Sequence, residues 1–189
     1  MKSIILCMGL WSISAFSQEI TFYKEDITIT FDHATLLVDG YYWFINHAQA
    51  EKTTEIYYPF GITSPHEQVD SVTVTNISQN YSPLLQNQSN KGVMFLLDLP
   101  AGDTTVYHIT YRQTVLSDSA RYILTSTQQW HQPLAHAEYK LILNEQTVLK
   151  DLSYSPDKTY HIGNQNIYYW KQDQFMPSRD IVFHFKNNP

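Results

Sequence analysis

Alternation of apolar and polar residues dominates this chain, and the longest example covers residues 93–113. One apolar face is formed by Val93, Phe95, Leu97 and Leu99, and a second by Tyr107, Ile109 and Tyr111. The sequence Leu99-Pro100-Ala101-Gly102 between them is typical of a type I turn, so the pattern predicts a hairpin. Because an apolar strand face must be covered, the hairpin predicts a two-layer β protein with His108 and Arg112 facing outward.

Shorter alternating runs lie on both sides of this stretch. Ile27, Ile29 and Phe31 alternate with polar residues and predict a half-buried strand. A short run at residues 34–38 is followed by Asp39-Gly40, a dipeptide typical of tight hairpins, and then by a central strand at 41–45. Further strands are predicted at residues 121–127, 137–143 and 181–186.

The complete pattern contains about ten or eleven short strands and no helical period. Many short strands separated by turn residues are typical of β-sandwiches. We therefore predict an all-β fold, an antiparallel immunoglobulin-like β-sandwich formed by one domain.

Three sequence motifs also resemble a known family. They are Leu97-x-Leu99-Pro100-Ala101-Gly102, Ile109-x-Tyr111-Arg112-Gln113 and Tyr122-Ile123-Leu124-Thr125. Together they resemble the centre of secreted bacterial immunoglobulin-like β-sandwich domains of unknown function. The resemblance implies a fold and a compartment, and it carries no active-site residues over to this chain.

The N-terminus has the pattern of a secretory signal. One lysine, Lys2, precedes an apolar run that ends in Ala15-Phe16-Ser17. Small residues at these two positions are typical of a signal-peptidase site, so we expect residues 1–17 to be removed before Gln18 and residues 18–189 to form the domain. Cleavage would also remove Cys7, the one cysteine of the sequence. The expected location is extracytoplasmic: periplasmic, cell-surface or secreted.

Charge and hydropathy argue against two classes of partner. The formal net charge is −6, and the sequence has no run of lysine or arginine. Nucleic acid and anionic lipid both require such clusters, so neither is an expected partner. No second apolar stretch reaches transmembrane length, and no transmembrane segment is expected after residue 17.

Motifs for catalysis and metal binding are missing from the sequence. No two of the eight histidines are two or four residues apart, which are the spacings that place two ligands on one strand or helix face. The chain has no Gly-x-Ser-x-Gly motif, and the predicted mature chain has no cysteine nucleophile. We expect no catalytic, cofactor-binding or metal-binding residues, and therefore no enzyme.

Aromatic clusters are the main candidate for function. Residues 41–44, 57–58 and 168–170 place rings on both faces of a strand. Such rings either belong to a covered core or are exposed and stack on sugars or proteins. Trp130, in a polar segment, either plugs the end of the sandwich, which we expect, or projects toward a ligand. The candidate ligand contacts are Trp43, Trp130, Trp170, Tyr57 and Tyr168.

These observations lead to a hypothesis of function by surface contact. We expect a non-catalytic interaction or structural module of the cell envelope whose partner is a protein or a glycan. One alternative is a carbohydrate-binding module that uses exposed Trp and Tyr. A second alternative, a hydrolase, requires a cleft with converging carboxylates or a Ser-His pair.

Overall fold

The computed structural model describes residues 19–187, and the predicted signal lies outside this range. Residues 19–187 form thirteen strands, rather than ten or eleven, and one 3₁₀ helix. The elements are β1 (Ile20–Asp32), β2 (Thr35–Asn46), β3 (Lys52–Pro59), β4 (Gln68–Asn76), β5 (Gln86–Ser89), β6 (Gly92–Leu99), β7 (Thr104–Thr114), β8 (Ser119–Tyr122), η1 (Thr125–Trp130), β9 (Leu134–Asn144), β10 (Thr147–Leu152), β11 (Lys158–Ile162), β12 (Gln165–Phe175) and β13 (Ile181–Asn187). The all-β prediction is confirmed. No helix in this range is long and apolar enough to cross a membrane.

The strands form three sheets. A seven-stranded sheet, the large sheet, has the order β11-β12-β9-β1-β2-β7-β4. The first small sheet has the order β3-β6-β5, and the second small sheet has the order β10-β13-β8. The inner faces of all three sheets contribute to one hydrophobic core, as expected of a β-sandwich.

Strand pairing is mainly antiparallel, with one exception in the middle of the large sheet. There β1 and β9 run parallel, from Lys24 opposite His136 to Phe31 opposite Leu143. The other pairs among the described strands are antiparallel. The predicted antiparallel pairing is therefore confirmed for most of the described strands and was wrong at this pair. A parallel pair needs a long connection, and here the connection includes every element from β2 to η1.

The predicted faces of the longest alternating stretch are confirmed. Tyr107, Ile109 and Tyr111 are at most 1% exposed, while Arg112 is exposed. His108 is half-buried on the outer face, where its Nε2 lies 2.9 Å from an Asp39 carboxylate oxygen. The alternation of apolar and polar residues therefore predicts correctly which side chains of β7 face the core and which face outward.

The predicted hairpin between β6 and β7 is wrong. β6 pairs with β3 and β5 in the first small sheet, whereas β7 pairs with β2 and β4 in the large sheet. The connection at residues 100–103 is thus an arch between two layers. Two consecutive amphipathic strands can bury their apolar faces side by side in one sheet or face to face across a core, and the alternation is the same in both cases.

A side chain far away in the sequence holds this arch in place. Asn46 is fully buried, and its Nδ2 donates hydrogen bonds of 2.9 Å to the Leu99 carbonyl and 3.1 Å to the Pro100 carbonyl. The backbone N–H of Gly102 donates to the Ala48 carbonyl. Carbonyl groups that lack a partner strand at the arch are thereby satisfied by the end of β2.

The predicted turn at Asp39-Gly40 is also wrong, because β2 continues through both residues. The β1–β2 hairpin turns instead at His33 and Ala34, whose φ angles are 43° and 63°. A two-residue hairpin loop needs positive φ at both positions, and non-glycine residues provide it here. Gly40 has a different role: a Cβ there would lie 2.8 Å from the Ile27 side chain and closer still to the Tyr42 ring.

The strand predicted at residues 121–127 is shorter than expected. β8 ends at Tyr122, and η1 then runs from Thr125 to Trp130. The Asp180 carboxylate accepts 3.0 Å hydrogen bonds from the backbone N–H groups of Leu124 and Thr125, and a third from the Thr125 hydroxyl. This acceptor holds the chain where it leaves the sheet, and η1 then packs next to β1 and β2 through the Trp130 ring.

Candidate functional site

A cleft of about 310 Å³ lies where η1 and β3 meet the inner face of the large sheet. Residues of all three sheets line it: β1, β2 and β7 of the large sheet, β3 of the first small sheet and β8 of the second. Its volume is within the range of small-molecule sites. The lining of this cleft combines aromatic walls with buried polar groups.

Three aromatic rings form one wall of the cleft. The Phe22 and Phe44 rings stack with their centroids 5.0 Å apart. The Trp130 ring, at the end of η1, lies 5.4 Å from Phe44 and 5.8 Å from Phe22. Trp130 is half-buried, so it packs on the core and also borders the cleft.

A cluster of tyrosine hydroxyls forms the polar part of the cleft. The Tyr42 hydroxyl lies 2.7 Å from the Tyr58 hydroxyl and 2.9 Å from the Tyr122 hydroxyl. These residues come from β2, β3 and β8, one from each sheet. Burial raises the pKa of all three phenols well above the usual value, so they stay neutral and can both donate and accept hydrogen bonds.

A carboxyl group is buried beside this cluster. Glu25 lines the cleft, is 2% exposed and accepts a hydrogen bond from the Tyr139 hydroxyl. Burial raises the pKa of Glu25 to about 7, although the hydrogen bond from Tyr139 acts in the opposite direction. Near neutral pH the group is therefore divided between its charged and neutral forms.

An irregularity in β1 places Phe22 on the same inner face as Glu25. The pairing of β1 with β2 shifts between Phe22 and Lys24, where β1 has one extra residue. Because of this bulge, Phe22 and Glu25 both face inward although they are three positions apart, an odd spacing that would place them on opposite faces of a regular strand. The bulge thus sets an aromatic wall and an acid next to each other.

β3 forms the opposite wall and the rim. Its residues Thr54, Ile56 and Tyr58 are half-buried or buried, whereas Glu55 and Tyr57 are exposed. Tyr57 is 48% exposed, and its ring lies against Gly92 of β6. Since neighbouring side chains of a strand point to opposite faces, Glu55 and Tyr57 belong to the outer rim of the cleft.

The structure separates the five predicted contact residues. Trp130 and Tyr57 both border the cleft. Trp43 lies on the outer face of the large sheet, with the Lys24 ammonium 4.3 Å above its ring. Tyr168 is half-buried against the core. Trp170 is fully buried, with its ring 5.6 Å from that of Tyr139, so it is a core residue and the prediction of a surface contact was wrong.

Sequence reasoning missed the polar groups of the cleft. A signal for Glu25 was present, because it is in phase with Ile27, Ile29 and Phe31 on the apolar face of β1. A charged residue in phase with a buried face needs a partner or a function. The meeting of Tyr42, Tyr58 and Tyr122 had no such signal, since residues from three different sheets come together only in the tertiary structure.

Two solved structures are similar to this chain. The first is the crystal structure of a proposed nutrient-binding protein from Legionella pneumophila, with a TM-score of 0.69 and 16% identity over 88% of this chain and 67% of that protein. The second is the M1 zinc metallopeptidase of Deinococcus radiodurans with a bound Tyr-Ser-Ala substrate, with a TM-score of 0.52 and 10% identity over 88% of this chain and 43% of the peptidase.

These likenesses show the fold alone. The chain spans two thirds of the Legionella protein and less than half of the peptidase. No family model matches the sequence, and no curated protein matches it significantly. Unrelated functions often share one architecture, so the function has to be argued from the cleft.

Proposed function

We propose that this chain is a non-catalytic, extracytoplasmic binding module of the cell envelope that takes its ligand in the cleft between β3 and η1. The cleft itself is the observation that carries the proposal. It joins aromatic walls to a few convergent polar groups, which is the usual composition of a ligand site. The Legionella protein, described as a proposed nutrient-binding protein, is in keeping with such a role.

The lining of the cleft supports a binding role over a hydrolytic one. Three residues with aliphatic hydroxyl groups, Thr54, Ser126 and Thr127, line it, but its lining includes neither histidine nor cysteine. Of the two carboxylates at the cleft, Glu25 is buried and Glu55 is exposed on the opposite face of β3. A glycoside hydrolase needs a pair of carboxyl groups, one on each side of the bond to be cleaved. Of the two carboxyl groups that line this cleft, Glu25 alone faces inward.

The proposed ligand is a protein or a glycan of the cell envelope. The composition of the cleft favours a glycan. Aromatic rings such as Trp130 stack on the apolar faces of sugars, and tyrosine hydroxyls bind their hydroxyl groups. The Tyr42, Tyr58 and Tyr122 cluster supplies both donors and acceptors. The proposal also includes the assignment to secreted bacterial immunoglobulin-like domains, which is supported by the sandwich arrangement of the sheets.

Calorimetric titration with maltotriose, cellotriose and chitotriose tests the proposal. Trp130→Ala is expected to weaken binding at least roughly tenfold, because loss of a stacking ring removes more than about 1.4 kcal/mol. Trp43→Ala, on the outer face of the large sheet, should bind as the unchanged protein does.

Trp130 also packs on the core, so a second variant separates binding from folding. Thr54→Phe places a ring in the cleft from the β3 side and should block binding while the melting temperature stays constant. Binding that survives both changes, or that is lost equally in Trp43→Ala, would place the ligand elsewhere. If no glycan binds, the carbohydrate alternative is wrong.

The extracytoplasmic location has its own test. N-terminal sequencing of protein exported by the native host should begin at Gln18, because the small residues Ala15 and Ser17 precede that bond. Replacing Ala15 with a bulky residue, Ala15→Trp, should cause the precursor to accumulate. An intact Met1 on soluble cytoplasmic protein would contradict the location.

A further inference from the structure

The buried acid of the cleft has no cationic partner. The Tyr139 hydroxyl on β9 donates a hydrogen bond to Glu25, and Tyr42 on β2, Tyr58 on β3 and Tyr122 on β8 lie near enough for the charge of Glu25 to raise the pKa of their hydroxyls. The residues that line the cleft include no lysine, arginine or histidine. Lys24, the neighbour of Glu25 in the sequence, lies over the Trp43 ring on the other face of the sheet.

A carboxyl group in this position lowers stability when it is charged. A buried charge without a partner costs several kcal/mol, and a glutamine or an apolar residue would fill the same space without that cost. The Tyr139 hydroxyl satisfies one carboxylate oxygen but provides no positive charge. An unpaired acid beside a cleft therefore indicates a ligand with the opposite charge.

The walls of the cleft also suit a cation. Phe22, Phe44 and Trp130 present aromatic rings, and ring faces attract ammonium groups. The hydroxyls of Tyr42, Tyr58 and Tyr122 can accept the remaining N–H donors of a primary ammonium. Carboxylate, hydroxyls and rings together are complementary to an alkylammonium group.

We propose that the ligand of this cleft carries a protonated amino group that forms an ion pair with Glu25. This inference rests on the proposed binding function and names the chemical class of the ligand. Two sources supply that chemistry: an amino sugar and an aliphatic amine. The raised pKa of Glu25 agrees with the proposal, because a bound cation would favour the charged carboxylate and release a proton from the protein.

Two matched pairs of probes test the charge and distinguish its sources. Glucosamine is compared with glucose, and n-butylammonium with n-butanol, by calorimetric titration of residues 18–189 at pH 7. We expect the charged member of at least one pair to bind roughly tenfold tighter or more, as a charge-assisted hydrogen bond provides. A preference only in the first pair identifies an amino sugar, and a preference only in the second identifies an aliphatic amine.

Substitutions assign the effect to one carboxyl group. Glu25→Gln should remove the preference for the charged probe, whereas Glu138→Gln, on the outer face of β9 beside Lys140, should keep it. For n-butylammonium, affinity should rise roughly tenfold between pH 5.5 and pH 8 as Glu25 ionises, and this rise should be missing in Glu25→Gln.

The possible results separate the inference from the proposed function. Equal affinity for glucose and glucosamine, lost in Trp130→Ala, would overturn the ammonium inference and leave the binding function standing. A preference for the cation that survives in Glu25→Gln would overturn the assignment to Glu25. If none of the four probes binds while a trisaccharide does, the ligand is neutral and the inference is wrong. If nothing binds, both proposals fail.

Discussion

Trp170→Ala is expected to lower the free energy of unfolding by about 3–5 kcal/mol, the usual cost of truncating a packed aromatic side chain. Trp170 is fully buried in β12 and packs against Tyr139 of β9. Its loss would leave a cavity beside Tyr139, the residue that donates a hydrogen bond to Glu25. Urea denaturation followed by circular dichroism measures the change.

Two further variants make this result specific. Trp43→Ala should cost much less, about 0.5–1 kcal/mol, since Trp43 is half-buried on the outer face, where its ring contacts Lys24 and the Tyr41 ring. Trp170→Phe keeps a ring and removes an indole N–H that is buried without a partner among the described residues, so its loss should be clearly smaller than that of Trp170→Ala. Similar losses for the two alanine variants would contradict the assigned faces of β2 and β12.

The period of two correctly predicted which side of β6, β7, β9 and β13 is buried. On β9, Ala137, Tyr139, Leu141 and Leu143 are all at most 1% exposed, and on β13 Ile181, Phe183 and Phe185 are at most 5% exposed. Burial of apolar area acts locally on each strand, so the sequence of that strand is sufficient to predict it. Pairing is different, because the partner of a strand depends on the whole chain.

The two incorrect turns illustrate this limit. Pro100 and Gly102 lie in a connection as predicted, but that connection is an arch, whose first carbonyls accept hydrogen bonds from Asn46, a residue far away in the sequence. Gly40 was assigned to a turn because glycine favours turns, whereas it serves to make room beside Tyr42 and Ile27. Both decisions depend on residues that only the folded structure brings close.

The cleft shows the same division between local and tertiary information. The polar neighbours of Trp130 predict either a plug at the end of the sandwich or a ligand contact, and the structure places the ring at the cleft, packed on Phe22 and Phe44. Glu25 could have been found from its phase on β1, provided that the apolar face was extended back from Ile27. The bulge that turns Phe22 inward has no signature in this sequence, because a bulge is fixed by the pairing with β2.

Glu25 should make this protein less stable as the pH rises from about 4.5 to about 7. The pKa of Glu25 is about 7 in the folded protein, whereas its ordinary value, which applies to the unfolded chain, is 4.5. Between pH 4.5 and pH 7 the folded state therefore binds more protons than the unfolded state does. The contribution of Glu25 is therefore complete below pH 4.5 and is lost by the time the pH exceeds 7. At about 1.4 kcal/mol per pKa unit, the loss is about 3 kcal/mol.

Glu25→Gln isolates this contribution, because glutamine resembles the protonated acid and can still accept the hydrogen bond from Tyr139. The free energy of unfolding of the variant, minus that of the unchanged protein, should increase by about 3 kcal/mol between pH 4.5 and pH 8. Urea titrations at pH 4.5, 5.5, 6.5, 7.5 and 8 measure the difference. A difference that stays constant over this range would mean that the carboxyl group is not desolvated.

Glu67 provides a control with the opposite sign. It is fully buried, and burial acts to raise its pKa, but hydrogen bonds from the Thr63 backbone and from the Ser117 and Thr63 hydroxyls outweigh burial and hold the pKa below its usual value. Its contribution is present above the ordinary pKa and is lost as the pH falls through the lowered one. Glu67→Gln should therefore destabilise the protein at neutral pH, where Glu25→Gln stabilises it. The two buried carboxyl groups differ in the number of hydrogen-bond donors: Glu67 accepts from several groups and Glu25 from one. A bound ammonium group would supply the donors that Glu25 lacks.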